Sequence, residues 1–85
     1  MTHRVLVTGA SGYLGGRLVA SLAERSRGAG DPACIVASDV REIAPAARLP
    51  GVEYVVLDVR DSGLGDVLAR HSIDTVVHLA AIVTP

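Results

Sequence analysis

Lysine, phenylalanine and tryptophan are absent from these 85 residues, cysteine and methionine occur once each, and tyrosine occurs twice. Each gap closes off a class of function. Without lysine there is no nucleotide-triphosphatase phosphate loop, because that loop needs a lysine after its last glycine to reach the β- and γ-phosphates. A single thiol, Cys34, excludes an internal disulfide, and its place in the apolar run 33–37 predicts a buried, inert side chain in a reducing cytoplasm. His3 and His71 have no partners at metal-ligand spacing, so nothing argues for a metal. No apolar run approaches the roughly 18 residues that a membrane span needs, and His3 and Arg4 lead directly into a strand where an export signal would carry its apolar region. The nine acidic residues are scattered among eight arginines for a net charge of −1, which leaves no basic face for nucleic acid or an anionic membrane.

What is present is aliphatic. Hydrophobic residues make up 49% of the chain and mean hydropathy is +0.42, so the core must be Val, Leu, Ile and Ala, as in a parallel sheet covered by helices. The chain has room for one small domain at most. At this length a fold buries only about 60–65% of the surface that its unfolded chain exposes.

The stretch V-L-V-T-G-A-S-G-Y-L-G, residues 5–15, organises the rest. Val5, Leu6 and Val7 form a short apolar run, as in a strand buried on both faces. Gly9, Gly12 and Gly15 follow at intervals of three, and Leu14, Leu18 and Leu22 then recur at intervals of four, so the period changes from strand to helix across the glycines. Such a turn aims the free N–H groups of the helix's first turn, and the positive end of its dipole, at one point in front of the sheet. That point attracts anions.

Beyond this stretch, the spacing predicts a first strand at 4–8 and a first helix at 12–25, with Leu14, Leu18, Val19, Leu22 and Ala23 as its buried stripe. Residues 26–32, with two glycines and a proline, predict a loop. A second strand is expected at 33–38 with Asp39 immediately after it, at most a turn or two of helix at 44–49 between Pro45 and Pro50, and a third strand at 52–57. Turn chemistry at 58–65 leads into a short helix ending near His71, capped by Asp61 or Ser62, and a fourth strand at 74–81. The alternation implies an α/β fold with a doubly wound parallel sheet of order 3-2-1-4, in which strands one and four flank a crevice at their carboxyl ends. Strand four is left as an open apolar edge at Pro85, so the chain reads as the amino-terminal part of one dinucleotide-binding domain whose remainder, with the substrate-binding region, lies elsewhere.

Three glycine roles follow from this placement: Gly9 for the tight turn, Gly12 for close approach of a phosphate, and Gly15 for close packing of helix on strand. Asp39, 24 residues after Gly15, is placed to accept hydrogen bonds from both ribose hydroxyls of an adenosine and to repel a 2′-phosphate, which favours NAD. Arg41, two residues on, is the counter-argument for NADP. Asp58 reads equally as a turn-forming residue or as an acceptor for the exocyclic amine of adenine, with the Val59 backbone supporting the ring edge. His78, flanked by apolar residues, reads as a satisfied core group.

V-T-G-A-S-G-Y-L-G, S-D-V, L-D-V-R-D and V-V-H-L-A-A, in that order, resemble the extended short-chain dehydrogenase/reductase family of NAD-dependent epimerases and dehydratases, acting mainly on nucleotide sugars. The resemblance covers nearly the whole chain. It implies a Rossmann-type domain in which Gly9, Gly12, Tyr13, Leu14 and Gly15 bind the pyrophosphate, Asp39 the adenosine ribose, and Asp58 and Val59 the adenine. Leu79, Ala80 and Ala81 would line the route to the nicotinamide ribose. The family's chemistry uses a Tyr acidified by a Lys four residues later, aided by a Ser or Thr. Neither Tyr13 nor Tyr54 is followed by a lysine, so that pair is absent and no catalytic residue is assigned. The expected function is the cofactor-binding portion of an NAD-dependent oxidoreductase or epimerase/dehydratase with a small-molecule substrate, such as a nucleotide sugar, in a protein that forms a homodimer. The other class is a non-catalytic NAD(P)-sensing or scaffold protein of the same fold.

Overall fold

The structure, a computed structural model, describes residues 2–60 and 62–79. The chain runs β1 (Arg4–Thr8), α1 (Tyr13–Ala29), β2 (Cys34–Asp39), a 3-10 turn (Pro45–Ala47), β3 (Glu53–Val56), α2 (Gly63–Arg70) and β4 (Thr75–His78). All strand pairings are parallel, and the strands stand in the order β3-β2-β1-β4. This is the doubly wound arrangement that the alternation implied.

The apolar strand runs bury both faces of the sheet. Val5 and Val7 of β1, with Ile35 and Ala37 of β2, pack against Val19 and Ala23 of α1, whereas Leu6 and Val36 point the other way onto Leu57 and Val67. Leu6, Val7 and Val36 are fully buried. Full burial of such a side chain is worth about 1.5–3 kcal/mol, so the two central strands carry the stability of the domain.

Several local expectations change. α1 continues through 26–29, where the sequence predicts a loop, because Gly28 sits on an open helix face and is tolerated there. The stop comes at Gly30, left-handed at φ 73°, whose N–H donates to the Ser26 carbonyl at 2.8 Å. Leu14 is not in the buried stripe but 68% exposed; the stripe is Gly15, Val19 and Ala23, with Leu18 and Leu22 on its flank, because α1 touches β1 through the backbone at Gly15. Cys34 is half-buried, since it opens β2 at the end of the sheet, where cover by α2 is incomplete. Ser62 precedes α2 but makes no side-chain cap, its backbone being already helical. Asp61, the other cap candidate, lies outside the described residues.

Candidate dinucleotide site

The glycine turn between β1 and α1 sets the geometry. Gly9 has φ 72°, a left-handed value that strains any side chain, and its carbonyl accepts the Gly12 N–H at 3.1 Å. This turn drives the helix start against the strand. A Cβ on Gly15 would lie 2.8 Å from the Cα of Ala10 and 2.9 Å from the carbonyl carbon of Gly9, and would collide with the Gly9 carbonyl oxygen. These are backbone atoms with no rotamer to relieve the overlap, so position 15 admits glycine alone. At Gly12 a Cβ would meet the Gly9 oxygen at 3.4 Å, an ordinary contact. Bareness at position 12 therefore serves the space in front of the helix and not its packing.

The Gly16 N–H donates to the Gly12 carbonyl at 2.9 Å, so the helix geometry leaves the N–H groups of Tyr13, Leu14 and Gly15 without partners inside the helix. The first turn carries no acidic residue, and Gly12 supplies no capping side chain. No residue of the helix itself compensates the positive end of its dipole, as suits an anion site. Arg17, one turn on, donates to the Tyr13 hydroxyl at 2.8 Å with its guanidinium 5.5 Å from the ring centre, which holds that ring along the helix.

In front of this helix start, the carboxyl ends of the four strands enclose a cleft of ≈ 880 Å³. Thr8 at the end of β1 and Gly9, Ser11 and Gly12 beyond it line the cleft, with Asp39 at the end of β2 and Arg41 beyond it, Asp58, Val59 and Arg60 after β3, and His78 at the end of β4 with Leu79 beyond it. Six of the residues expected from the sequence to bind the cofactor therefore meet here, Gly9, Gly12, Asp39, Asp58, Val59 and Leu79, together with Arg41 and His78. Gly15 is buried beneath the turn, and Tyr13 and Leu14 are exposed at the helix start. Ala80 and Ala81 lie outside the described residues.

Asp39 ends β2 as its last residue and not just beyond it. One carboxylate oxygen accepts the Ser11 N–H at 3.0 Å and the other the Arg41 N–H at 3.2 Å. Burial works to raise its pKa but is outweighed by hydrogen bonds from Ser11 and from the Arg41 and Val40 backbone, so the carboxyl is held below its ordinary value of 3.8. Asp58 is gripped by Arg60. Nε donates to one oxygen at 3.0 Å, Nη2 to the other at 2.7 Å, and the Arg60 N–H adds a bond at 2.9 Å. These bonds, the side-chain ones first, pull Asp58 down to about 2. Asp58 thus forms a turn with Arg60, and it also lines the cleft.

His78 is corrected. It is exposed at the rim of β4 and not a core group, because β4 has no neighbour on its outer side among the described residues; its Nδ1 lies 2.8 Å from Thr8 Oγ1, which also accepts the Leu79 N–H at 3.1 Å. The contacts that sequence reasoning missed are Ser11 with Asp39 and Thr8 with His78. Both span residues far apart in the chain and have no local signal. The Arg60 grip was legible in principle, being an i, i+2 contact within D-V-R-D. Among the described residues no group of three or more His, Cys, Asp or Glu could hold a metal, and no helix is long and apolar enough to cross a membrane.

The Asp58 contacts predict a titration. In the full chain, the Asp58 side-chain carbon followed by NMR should titrate near 2, and Arg60→Gln should move it up toward 3.8. Because the folded value is depressed, the stability that this pairing contributes is fully present above 3.8 and is lost as pH falls through about 2. An Asp58 titrating at its ordinary value would show that the Arg60 contact does not persist in solution.

This geometry has a counterpart in a known family. The model of the NAD dependent epimerase/dehydratase family matches residues 5–85. The chain belongs to that family. One relative, the UDP-glucose 4-epimerase of Halalkalibacterium halodurans, is 36% identical over 78 residues, which is 91% of this chain and 22% of the relative. Among solved structures, the GalE-like L-threonine dehydrogenase of Cupriavidus necator in its holo form is 33% identical with a TM-score of 0.73, over 94% of this chain and 24% of that one. The uronate dehydrogenase of Agrobacterium tumefaciens, complexed with NAD, is 27% identical with a TM-score of 0.62, over 100% of this chain and 29% of that one. The chain spans about a quarter of the length of these relatives. Within the family it corresponds to the portion that binds the nicotinamide dinucleotide, and the 3-2-1-4 sheet is the Rossmann-type half on which that portion is built.

Proposed function

We propose that the cleft holds NAD in an extended pose across the carboxyl ends of the strands, as the cofactor-binding part of an epimerase, dehydratase or dehydrogenase. The observation that carries this reading is the Gly9–Gly15 contact: it sets an uncapped helix start against the sheet, beside two ionised carboxylates facing the same cleft. The donor set fits the group. N–H groups of Tyr13, Leu14 and Gly15 suit a pyrophosphate, Gly9 and Gly12 leave room for it, and the Asp39 carboxylate suits two ribose hydroxyls. Asp58 with the Val59 backbone takes the adenine edge, and Leu79, continuing into Ala80 and Ala81, takes the nicotinamide side. When bound, NAD would take up and return a hydride. The chain's own residues orient the dinucleotide, keep its phosphates against the helix, and hold acceptors charged at neutral pH.

Asp39 favours NAD over NADP. The Arg41 side chain at the rim is the feature that would admit a 2′-phosphate, although its N–H already serves Asp39. Residues 1–85 read as one part of a dinucleotide-binding domain, spanning about a quarter of the length of the relatives, and within them no tyrosine is followed four residues later by a lysine. The substrate is a small molecule, with nucleotide sugars, L-threonine and uronates as the first to try, since these are named in the relatives. The other reading, a dinucleotide sensor without catalysis, is not favoured by the family match or by the dehydrogenase relatives.

The test is calorimetric titration of the full-length protein with NAD, followed by incubation with each substrate class while the absorbance of reduced nicotinamide is recorded and the products are separated by chromatography, since an epimerase or dehydratase returns the hydride and leaves no reduced cofactor. Saturable binding with turnover of one class is expected. Failure to bind either NAD or NADP would overturn the proposal, and binding without turnover, in a chain whose later sequence lacks Tyr-x-x-x-Lys, would favour the sensor.

A further inference from the structure

Asp39 is tied on three sides before any ligand arrives. Its carbonyl accepts the Leu57 N–H at 2.8 Å, which fixes it to the start of the β3 exit, and one carboxylate oxygen accepts the Arg41 N–H. The other oxygen reaches across to a different loop and accepts the N–H of Ser11, between Gly9 and Gly12. One residue earlier in that loop, the Ala10 N–H donates to the Ser38 carbonyl at 3.0 Å. The end of β2 thus holds the glycine turn by two adjacent bonds, one from backbone and one from the carboxylate.

We propose that Asp39 is a positioning residue for the phosphate cradle: its carboxylate braces the glycine turn through the Ser11 N–H and so sets the helix start that receives the pyrophosphate, in addition to the ribose contact. This rests on the cofactor reading given above. The two roles are compatible, because a carboxylate offers about four lone-pair sites and the two bonds of full hydrogen-bond geometry, from the Ser11 and Arg41 N–H groups, take two of them. A bond to a charged acceptor is stronger than a neutral one and also orients the loop before binding, so part of the ordering cost of ligand capture is already met.

The brace and the simple ribose role predict opposite signs for a ligand that has phosphates but no adenosine. If Asp39 only binds ribose, its removal takes a negative charge away from an anion site and should leave pyrophosphate binding unchanged or tighter. If it braces the turn, removal should weaken that binding. The experiment uses the full-length protein with inorganic pyrophosphate and nicotinamide mononucleotide as probes, together with amide hydrogen exchange at Ser11 in the absence of ligand. Asp39→Ala is expected to weaken both probes about tenfold, the equivalent of about 1.4 kcal/mol, and to speed Ser11 exchange by a similar factor. Asp39→Asn keeps an acceptor for the Ser11 N–H and should restore slow exchange and probe binding while NAD itself stays weakened. That split separates a brace from a residue needed only for folding.

Probe affinity and Ser11 exchange unchanged in Asp39→Ala, with NAD binding lost, would overturn the brace and leave the cofactor reading intact. A wild-type protein that binds no dinucleotide would overturn the cofactor reading instead, and the Ser11 exchange ratio would then decide the brace alone. If Asp39→Ala does not fold, Asp39→Asn decides: fast Ser11 exchange in that variant contradicts the proposal, and slow exchange supports it.

Discussion

Gly15→Ala is expected to lose about 2–3 kcal/mol of stability and to weaken dinucleotide binding at least about tenfold, from a single added methyl group. The new carbon has nowhere to go, because its neighbours at 2.8 and 2.9 Å are the backbone of Ala10 and Gly9. Helix and strand must separate, and that separation moves the first-turn N–H groups away from the point at which they converge. Two other glycines provide the contrast. Gly28→Ala adds its methyl to open space in the interior of α1, so it should gain about 0.5–1 kcal/mol by limiting the unfolded chain and improving helix propensity, with binding unchanged. Gly12→Ala is tolerated by the fold but places a carbon in the cleft, so binding falls while stability changes by less than about 1 kcal/mol. Thermal unfolding and NAD titration of the three variants would check the pattern. Equal effects at positions 15 and 28 would show that the close approach is not what matters.

The second large effect concerns the choice of cofactor. The protein should bind NAD at least about tenfold more tightly than NADP, a difference of about 1.4 kcal/mol. A 2′-phosphate near Asp39 meets a carboxylate whose pKa is depressed, so the repulsion is not relieved by protonation at neutral pH. Asp39→Ser removes that charge and should bring the two cofactors to within a few-fold of each other, with Arg41 then available to the phosphate. Arg41→Ala should leave NAD binding nearly unchanged, since its contact with Asp39 is through the backbone N–H, which the substitution keeps. Parallel titrations with both cofactors decide this, and tighter binding of NADP by the wild type would reverse the roles assigned to Asp39 and Arg41.

Much of this site was legible because the relevant signals are local. The change of period across Gly9, Gly12 and Gly15 placed the strand, turn and helix, and the alternation of elements was enough to imply the 3-2-1-4 order and hence the crevice. What stayed hidden has physical causes. Leu14 fits the helical stripe by spacing, yet the backbone contact at Gly15 rotates the buried face by one residue, which spacing cannot register. Gly28 looks like a break, but propensity costs only about 1 kcal/mol and the surrounding helix outweighs it. His78 looked like a core group because its neighbours are apolar, whereas burial depends on what covers β4 from outside. Least legible of all, the Ser11–Asp39 contact joins residues 28 positions apart and becomes visible only when β1 and β2 are laid side by side.

The account's central claim is that a dinucleotide lies across the strand ends with its phosphates on the start of α1. Backbone amide shifts of the isotope-labelled full-length protein, recorded during titration with NAD, test it most directly. The largest saturable shifts should fall on the N–H groups of Tyr13, Leu14 and Gly15, with a second group at Asp39 to Arg41 and at Val59. Shifts confined to other parts of the chain, or none that saturate, would contradict it.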